Sequence, residues 1–383
     1  MAAAAAAARG NRQRGGVVVG VSPAGGPGPT RLERLTGGHP VPNAGSEAAG
    51  RRALAMAAAA RPDERVLVLL SGGASALLAA PAAGLTLADK QRATTVLLNE
   101  GAEIHRLNAV RKHLSAIKGG QLAVATAAPS LTLMISDVVG DDPSVIASGP
   151  TVADPSTFRD ALDALDHLGG RAAYPAAVVA HLERGMAGEH PETPKPGDPR
   201  LARAGALVVG GRRQAMEGAA ATARRLGYHA VVLEQPVVGE AREAAVVQIG
   251  HMAEVAAVAD RRRPVCVISS GETTVRVTGL GRGGRNQEFA LAAATVREHL
   301  GTWAPGRWML ASVGTDGVDG PTDAAGAVVD ATTVERAIRA GLAPPGEFLH
   351  NNDAYAFFAP LGDLIKTGPT GTNVGDLQVF LSV

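Results

Sequence analysis

The chain has 383 residues, of which 46% are apolar and only 3% aromatic, and its 37 basic and 36 acidic side chains leave a formal net charge of +1. That length exceeds what one hydrophobic core usually supports, so two domains are expected. Balanced charge provides no field to hold a polyanion, and few aromatic side chains are available to stack on bases. Neither nucleic acid nor a membrane surface is therefore predicted as a partner.

The start of the chain and its single cysteine bear on the compartment. The alanine run from Met1 to Gly10 lacks the basic and leucine-rich segments of a secretory signal. No apolar run approaches the roughly 18 residues that span a bilayer. Cys266 lies within the apolar run 265–268, so it is predicted to be a buried hydrophobe rather than a reactive thiol. Because no disulfide framework is possible, we expect a cytoplasmic protein.

The first half of the chain alternates apolar strands, glycine-bearing loops and helices. The patterns predict strands over 17–21, 65–70 and 131–135 and helices over 46–60 and 87–107. The continuous apolar run that ends at Leu70 is typical of a parallel strand covered on both faces. This alternation predicts a three-layer α/β/α domain with a Rossmann-like parallel sheet.

The second half begins after a proline-rich segment. Prolines between Gly188 and Arg200 exclude both helix and sheet, so this segment is predicted to be a linker between domains. Beyond it we predict strands over 206–209, 230–233, 265–268, 308–313 and 377–381 and helices over 214–226, 240–259 and 289–300. The run 273–278 alternates polar and apolar residues about four residues after Ile268, which predicts a half-exposed or antiparallel strand. A second α/β domain with a mixed sheet follows.

The loop after the strand that ends at Leu70 reads Ser71-Gly72-Gly73-Ala-Ser75. Ligands of open α/β sheets bind beyond the carboxyl ends of strands. Glycines allow backbone N–H groups to approach an anion, and serine hydroxyls add further donors. The loop is predicted to bind phosphate or carboxylate, with a plain tight turn as the alternative.

Two further features of the first half suit an anion or a metal. Asp137 directly follows the strand 131–135, where it could hold Mg²⁺ or accept a proton from a hydroxyl group, or remain a solvated loop carboxylate. Basic residues precede a Gly-Gly turn, which suits anion binding but is also common at an exposed helix end. The residues concerned are Asn108, Arg111, Lys118, Gly119 and Gly120.

A glycine loop precedes the predicted helix 289–300. Gly279, Gly281 and Gly284 fit the pattern G-x-G-x-x-G, which is the only internal support for a dinucleotide site. The strand before it alternates, and no acidic residue follows where a ribose would need one. Arg282 and Arg285 beside these glycines suit the phosphates of ATP better. The chain contains no G-x-x-x-x-G-K-[ST] sequence, so a P-loop enzyme is excluded.

Carboxylates and hydroxyls also precede and follow the last strands. The sequence Gly314-Thr315-Asp316-Gly-Val-Asp-Gly follows the strand 308–313, and Thr370 and Asn373 precede the strand 377–381. Two carboxylates with hydroxyls at one strand end are typical of metal or phosphate binding. Neither H-E-x-x-H nor G-x-S-x-G occurs, so a zinc site and a serine hydrolase are not expected.

These loops in this order resemble the class II glycerate kinases, the MOFRL family. The ordered motifs are Leu-Leu-Ser-Gly-Gly-Ala-Ser, Asn-Ala-Val-Arg-Lys-His-Leu-Ser, Ile-Ser-Asp-Val-Val-Gly-Asp, Ser-Gly-Pro-Thr, Gly-Gly-Arg-Asn-Gln-Glu, Gly-Thr-Asp-Gly-x-Asp-Gly and Thr-Gly-Pro-Thr-Gly-Thr-Asn-Val. The resemblance runs from about Gly37 to Val383. It implies transfer of the γ-phosphoryl group of ATP to D-glycerate, giving 2-phosphoglycerate, with Mg²⁺ required and the active site in a cleft between two domains.

The resemblance matches Arg285 to the arginine that the family uses in catalysis. With the loops above, the catalytic candidates are Arg285, Asp137 and Lys118. The candidates for binding substrate or phosphate are Ser71, Gly72, Gly73, Ser75, Asn108, Arg111, Gly119, Gly120, Asn286, Gln287, Glu288, Gly314, Thr315, Thr370 and Asn373. The metal candidates are Asp137 and Asp316.

One departure from the family concerns the N-terminal region. Family members carry an early Gly-Lys-Ala motif, whereas no lysine precedes Lys90 in this chain. We therefore expect a first domain over 1–190 with a truncated first strand and a second over 200–383 that contains the MOFRL region at about 263–383. The alternatives are an NAD(P)H-dependent hydroxypyruvate reductase and an inactive relative that still binds nucleotide or glycerate. A homodimer is compatible with the sequence.

Overall fold

The computed structural model describes residues 15–21, 32–259, 264–296 and 307–382, so the alanine run predicted to lack a signal lies outside the described residues. The chain divides into two compact units. The first unit extends to Met134 and resumes from Asp141 to Val209. The second comprises Ile135–Gly140 and the chain from Gly210 onward. Each unit is an α/β structure, as predicted.

The first unit contains two small sheets. Its strands are β1 (Gly16–Gly20), β2 (Leu32–Thr36), β3 (Val66–Leu70), β4 (Ser130–Ile135) and β5 (Ala204–Gly210). Its helices are α1 (Ala44–Ala59), α2 (Ala74–Leu77), α3 (Leu87–Asn99), α4 (Ile104–His113), α5 (Gln121–Val124), α6 (Phe158–His167) and α7 (Ala176–Met186). Strands β1 and β2 pair in parallel, and a separate sheet has the order β3-β4-β5 with β3 parallel to β4.

Local sequence signals fix where the helices of this unit begin and end. Asn43 caps α1, because its side chain accepts a hydrogen bond from the backbone N–H of Ser46 at 3.0 Å. The helical segments predicted around 87–107 are α3 and α4, which are separated because Gly101 adopts a left-handed conformation (φ 71°) just after α3. The break lets α4 start anew and carry Arg111 in its last turn.

The core of the first unit lies among four helices. Leu97 of α3, Val110 of α4, Leu162 of α6 and Leu182 of α7 are fully buried in one cluster. Burial of such side chains stabilises a fold by about 1.5–3 kcal/mol each. This cluster fixes α4, which supplies several of the predicted site residues.

The sheet β3-β4-β5 is covered on one face only in the part of the chain that the structure describes. On β4, Thr132 and Met134 are buried, whereas Leu131 is 46% exposed. Leu67 of β3, which pairs with Leu131, is also 46% exposed, and Leu207 of β5 is 57% exposed. The prediction that the run ending at Leu70 is covered on both faces is therefore wrong for the described residues, since an apolar run alone does not reveal which face is packed.

The proline-rich segment 188–200 is part of the first unit. Thr193 is buried and donates a hydrogen bond to the carboxylate of Asp154 at 2.9 Å. Glu192 accepts a hydrogen bond from the backbone N–H of Phe158 at 2.9 Å and lies 3.0 Å from His113. Because these polar contacts anchor the segment, its prediction as an interdomain linker is wrong. The two units divide after Val209 instead.

The second unit is built on a seven-stranded sheet. Its strands are β6 (His229–Val232), β7 (Val237–Glu240), β8 (Val265–Thr274), β9 (Trp308–Gly314), β10 (Gly326–Asp330), β11 (Leu364–Ile365) and β12 (Asp376–Ser382). Its helices are α8 (Arg212–Arg225), α9 (Ala241–Val258), α10 (Arg285–Thr295), α11 (Thr333–Arg339), α12 (Pro345–His350) and α13 (Ala354–Phe358). The last four residues of the predicted helix 289–300 lie outside the described residues.

The mixed character predicted for this sheet is confirmed. The order is β11-β10-β9-β12-β8-β6, with β7 also pairing with β8. Strands β6 and β7 run parallel to β8, whereas β12 is antiparallel to both β8 and β9. None of the described helices combines the length and apolar character needed to cross a bilayer.

Helices pack on both faces of this sheet. Cys266 and Ile268 of β8 pack in one cluster with Met216 of α8, and Val267 packs in another with Phe289 of α10. Alternate residues of one strand thus face opposite layers. Burial raises the pKa of the Cys266 thiol to about 11, so the prediction of a buried, unreactive cysteine is confirmed.

Strand β8 differs from its prediction. Residues 265–274 form one continuous strand, and 275–278 are not in a strand, so the separate strand predicted over 273–278 is wrong. The strand continues because Gly271 pairs with Asp376 of β12 on one side and with Val237 of β7 on the other. A Cβ at Gly271 would lie 1.9 Å from the carbonyl oxygen of Val237, so glycine is required there. The continuous strand brings Glu272 to the edge of the candidate site.

Candidate active site

In the first unit, three separate predicted motifs meet at one buried lysine. The ammonium group of Lys118 donates to the carbonyl oxygen of Ser75 at 2.8 Å and lies 3.2 Å from its hydroxyl. That hydroxyl is 2.9 Å from the hydroxyl of Ser148, which in turn donates to the side-chain oxygen of Asn108 at 2.9 Å. The structure therefore joins the loop after β3, the end of α4 and the Ser-Gly-Pro-Thr motif.

The backbone beside this lysine is strained. Ala147 (φ 54°) and Ser148 (φ 61°) both adopt left-handed conformations, which cost non-glycine residues about 1 kcal/mol or more each. The strain directs the carbonyl oxygen of Ala147 to a point 3.4 Å from the Lys118 ammonium group. Ser148 was not among the predicted site residues, although its motif was one of those that carry the family resemblance.

The charged side chains that act most strongly on Lys118 are positive. Burial lowers the pKa of Lys118 well below its ordinary value, and the charges of Lys90 and Arg111 lower it further. Burial also lowers the pKa of Arg111, which is partly exposed. Such a site favours an anion, because a negative charge removes the penalty of holding buried cations together.

The predicted glycines near Lys118 act mainly on the chain itself. Gly119 (φ 56°) and Gly120 (φ 82°) adopt left-handed conformations. Their backbone N–H groups donate to the carbonyl oxygens of Ser148 and Gly149 at 3.0 and 2.7 Å. They shape the turn that orients Lys118. Gly73 (φ 78°) plays the corresponding part in the loop that includes Ser71 and Gly72.

In the second unit, Arg285 is held by two carboxylates. It begins α10 and donates from Nε and Nη2 to Asp376 at 2.7 and 3.0 Å and from Nη1 to Glu272 at 2.9 Å. Burial lowers the pKa of Arg285, but the charges of Asp376 and Glu272 outweigh it and raise the pKa above its ordinary value. Burial raises the pKa of Asp376 and of Glu272, and Arg285 opposes both shifts. With its side chain 31% exposed, Arg285 remains accessible to a ligand.

The three residues after Arg285 are buried and bind the protein itself. Asn286 donates to Asp376 at 2.9 Å, Gln287 donates to Thr322 at 2.9 Å, and Glu288 pairs with Arg242. All three are at most 2% exposed. Their side chains bind other residues of the protein and not solvent, and these contacts hold the start of α10, where Arg285 lies.

The first amides of α10 are already occupied. The carboxylate of Asp319 accepts hydrogen bonds from the backbone N–H groups of Asn286 and Gln287 at 3.0 and 2.8 Å. Burial raises the pKa of Asp319, and these two hydrogen bonds oppose the rise. Asp319 therefore caps this helix end and occupies two of its amides, and phosphate binding by Arg282 and Arg285 stays a prediction.

The glycines of the G-x-G-x-x-G sequence also pack against the chain. A Cβ at Gly279 would lie 2.3 Å from the carbonyl oxygen of Asn351, and one at Gly281 would lie 2.3 Å from Asp353. At Gly284 it would lie 2.3 Å from Asp319. Close contact within the protein accounts for all three glycines without a dinucleotide.

The remaining predicted residues of the second unit lie in three loops joined by hydrogen bonds. The hydroxyl of Thr315 donates to the carbonyl oxygen of Gly375, and the hydroxyl of Thr370 donates to the carbonyl oxygen of Thr315, each at 2.6 Å. Asp137 accepts a hydrogen bond from Asn373 at 3.1 Å, and Asp316 accepts one from the backbone N–H of Val318 at 3.1 Å. Gly314, at the end of β9, donates its N–H to Ala325, at 2.7 Å.

The loops that carry Asp137 and Asp316 offer oxygen donors of the kind that Mg²⁺ prefers. Among the described residues, no three His, Cys, Asp or Glu side chains converge closely enough to hold a metal by themselves. Mg²⁺ is commonly bound by only one or two carboxylates together with phosphate oxygens and water. Asp137 and Asp316 fit that donor set.

Three acidic residues of this site were not predicted as site residues. Glu272 lies on the part of β8 that was assigned to a turn, so no sequence signal singled it out. Asp319 and Asp376 lie in or directly beside motifs that carry the family resemblance. Their acidic character at strand ends was the available signal.

Comparison with known families matches both parts of the chain. Residues 1–183 match a domain of unknown function, DUF4147, and residues 265–376 match the MOFRL family. The chain is 39% identical over 356 residues to a glycerate 2-kinase of Pyrococcus horikoshii, covering 92% of this chain and 78% of the relative. It is 42% identical over 359 residues to an Agrobacterium vitis protein named as a hydroxypyruvate reductase, covering 92% and 77%.

Comparison with solved structures agrees. The structure is similar to the crystal structure of a glycerate kinase from Thermotoga maritima, with a TM-score of 0.84 and 38% sequence identity. The match covers 97% of this chain and 85% of that chain. The predicted two-domain α/β fold is thus confirmed.

Proposed function

Because this chain belongs to the MOFRL-containing family of glycerate kinases, we propose that it transfers the γ-phosphoryl group of ATP to D-glycerate and releases 2-phosphoglycerate and ADP. The observation that carries this proposal is the electropositive, hydroxyl-lined loop around Lys118 and Ser75. A small hydroxy acid needs such a loop, with cations for its carboxylate and hydroxyls for its alcohol groups.

The first unit binds the acid substrate. Arg111 and Lys118 supply positive charge for the glycerate carboxylate. Ser71 and Ser75 supply hydroxyls, and the glycines between them allow close approach of the backbone. Positioning of this kind is a major source of rate in phosphoryl transfer, because the protein contributes little covalent chemistry.

The second unit binds the phosphates of ATP and stabilises the phosphoryl group during its transfer. Arg285 stabilises the charge that spreads over the transferring phosphoryl group, and its two carboxylate partners hold the guanidinium in one orientation. The glycerate hydroxyl oxygen forms a bond to the γ-phosphorus while the bond from that phosphorus to the oxygen of ADP breaks. Asp137 accepts the proton that leaves the hydroxyl group.

Mg²⁺ is part of this proposal. Asp316 would hold it while Asp137 accepts the proton, and the bound ion would neutralise charge on the phosphate oxygens. Thr315, Thr370 and Asn373 would keep the two carboxylate loops together through the contacts described above.

Reduction of hydroxypyruvate is the rival activity, because some relatives carry that name. Its internal support was the G-x-G-x-x-G sequence, and close packing accounts for those glycines. An inactive relative that only binds its ligands is the other rival.

A coupled assay separates these activities. Purified protein is incubated with ATP and Mg²⁺, with and without D-glycerate, while ADP release is followed; a parallel reaction contains hydroxypyruvate and NADH or NADPH. Glycerate-dependent ADP release supports the kinase. Oxidation of the nicotinamide cofactor without such release would establish the reductase, and absence of both would leave the inactive relative.

A further inference from the structure

Lys90 is a buried lysine that no predicted motif includes. It lies on α3, is 6% exposed, and donates from its ammonium group to the carbonyl oxygen of Leu114 at 2.7 Å. The carbonyl oxygen of Arg111 lies 3.5 Å away. These carbonyls belong to the C-terminal end of α4, whose dipole favours a positive charge but supplies only part of one.

The other lysines of the chain show what is missing at Lys90. Lys112 lies 3.0 Å from Asp154, Lys195 lies 3.0 Å from Glu192, and Lys366 lies 2.9 Å from Asp323. Among the described residues, neither Lys90 nor Lys118 has a carboxylate within ion-pair distance. Two buried ammonium groups therefore lack a negative partner, although the same unit provides one for Lys112.

A third cation is available at the same place. The side chain of Arg111 forms no ion pair or hydrogen bond with any other described residue, and it is partly exposed. The Lys90 ammonium group lies 3.5 Å from the carbonyl oxygen of Arg111, and the charges of Lys90 and Arg111 both lower the pKa of Lys118. The single carboxylate of a monoanion can neutralise only one of these three cationic side chains. The group as a whole therefore suits a ligand with two negative charges better.

We propose that Lys90 is a third cation of the glycerate loop and that the site of Lys90, Arg111 and Lys118 binds small hydroxy-acid dianions in preference to monoanions. This inference deepens the proposed function and rests on it for the identity of the monoanion, glycerate. Lys90 acts as a positioning residue. Its ammonium group binds the carbonyl oxygens at the end of α4, and its positive charge adds to those of Arg111 and Lys118. The dianion class includes hydroxydicarboxylates and the product side of the reaction, where a phosphoryl group lies beside the carboxylate.

Proton uptake gives this site a distinctive signature. Burial and the charge of Arg111 lower the pKa of Lys90 to about 7 in the empty site. The groups that face Lys90 are the Arg111 charge and the two α4 carbonyls, and those that face Lys118 are Ser75, the Ala147 carbonyl, Lys90 and Arg111. A bound dianion should favour the ammonium form of both lysines, so binding at about pH 8 should take up protons, about one of them at Lys90.

Isothermal titration calorimetry tests the proposal without ATP. The full chain is titrated with D-glycerate and with tartronate, a hydroxydicarboxylate of similar size, in two buffers of different ionisation enthalpy. Tartronate should bind about tenfold more tightly, since one further charge meets the cation group. Lys90→Met should lose most of this preference and take up about one proton fewer on binding, whereas Arg92→Met, which removes an exposed charge from the same helix, should leave both unchanged.

Other outcomes decide against the inference. Equal affinity of the unmodified protein for the two acids would overturn it, as would Lys90→Met, folded by circular dichroism, with preference and uptake intact. If Lys90→Met fails to fold, Lys90→Arg decides: retained preference with reduced uptake supports the role of Lys90, and unchanged uptake refutes it. Kinase turnover without dianion preference overturns only this inference, whereas dianion preference without turnover overturns only the proposed function.

Discussion

Arg285 donates two parallel hydrogen bonds to Asp376, one from Nε at 2.7 Å and one from Nη2 at 3.0 Å. The aspartate side chain is fully buried, whereas that of the arginine is 31% exposed. The carboxylate therefore fixes the plane of the guanidinium from the protein side. The exposed part of the guanidinium is therefore a cation in a fixed orientation. A fixed cation stabilises a transferring phosphoryl group better than a mobile cation does.

Arg285→Ala should separate the catalytic part of this pair from its structural part. We expect kcat to fall by about 10²–10³-fold and the free energy of unfolding to fall by about 3 kcal/mol, because a buried carboxylate loses its partner. Adding Asp376→Asn to Arg285→Ala should recover much of the stability but none of the turnover. Steady-state kinetics and urea unfolding of both variants measure this, and recovered turnover in the double variant would contradict the role of Arg285.

Gly73→Ala tests the loop after β3. Gly73 (φ 78°) would place a Cβ 3.0 Å from the ring of His39, so the loop must shift in addition to the left-handed cost of about 1 kcal/mol. We expect the KM for glycerate to rise about tenfold or more. Gly84→Ala is the matched control, because Gly84 (φ 84°) has open space around it. Similar unfolding midpoints with a change in KM confined to Gly73→Ala would support the loop, and equal KM values would count against it.

Asp154→Ala tests whether the proline-rich segment is anchored. It leaves the Lys112 ammonium buried without its partner and removes the acceptor of Thr193, so the free energy of unfolding should fall by about 3–5 kcal/mol. Limited proteolysis should then cut between residues 188 and 200. A variant cut no faster than the unmodified protein would mean that this segment is held by other contacts.

Glu192 should contribute an acid limb to the stability profile. Burial raises its pKa, but hydrogen bonds from His113, Phe158 and Lys195 outweigh this and lower it to about 2. A carboxylate with a lowered folded-state pKa stabilises the fold above its unfolded pKa and loses that contribution as the pH falls toward the folded value. The loss should be about 1–2 kcal/mol between about pH 5 and 2, less than full linkage because the side chain is 37% exposed.

Urea unfolding across that pH range measures the contribution of Glu192. Glu192→Gln should flatten the acid limb while it lowers stability near neutral pH, since the amide keeps the shape but not the charge. Parallel pH profiles of the two proteins would contradict the assignment.

Apolar periodicity predicted β1, β3 to β6, β9 and β12 to within a few residues. It did not predict the short strands β2, β7, β10 and β11 or the helices α6, α7 and α11 to α13. Strand β8 shows the limit. Residues 269–271 are Ser-Ser-Gly, which local sequence assigns to a turn, yet strand pairing with β7 and β12 holds them in the sheet. Tertiary pairing overrode local propensity there, and Glu272 was missed as a consequence.

For the site, the sequence predicted which loops contain candidate catalytic and binding residues. It did not predict which of their polar atoms already form hydrogen bonds within the protein. Glycines and helix amides near Arg285 look available to a ligand in sequence, whereas Asp319 occupies the amides in the structure. Lys90 illustrates the converse. Its neighbours are distant in sequence, so only the fold reveals a buried lysine beside Arg111 and Lys118.

The most direct test of the proposed kinase activity is ³¹P nuclear magnetic resonance of the products formed from ATP, Mg²⁺ and D-glycerate. We expect the signal of the γ-phosphate to be replaced by that of 2-phosphoglycerate, with ADP formed in equal amount. Release of inorganic phosphate alone, or unchanged ATP in the presence of folded protein, would contradict it.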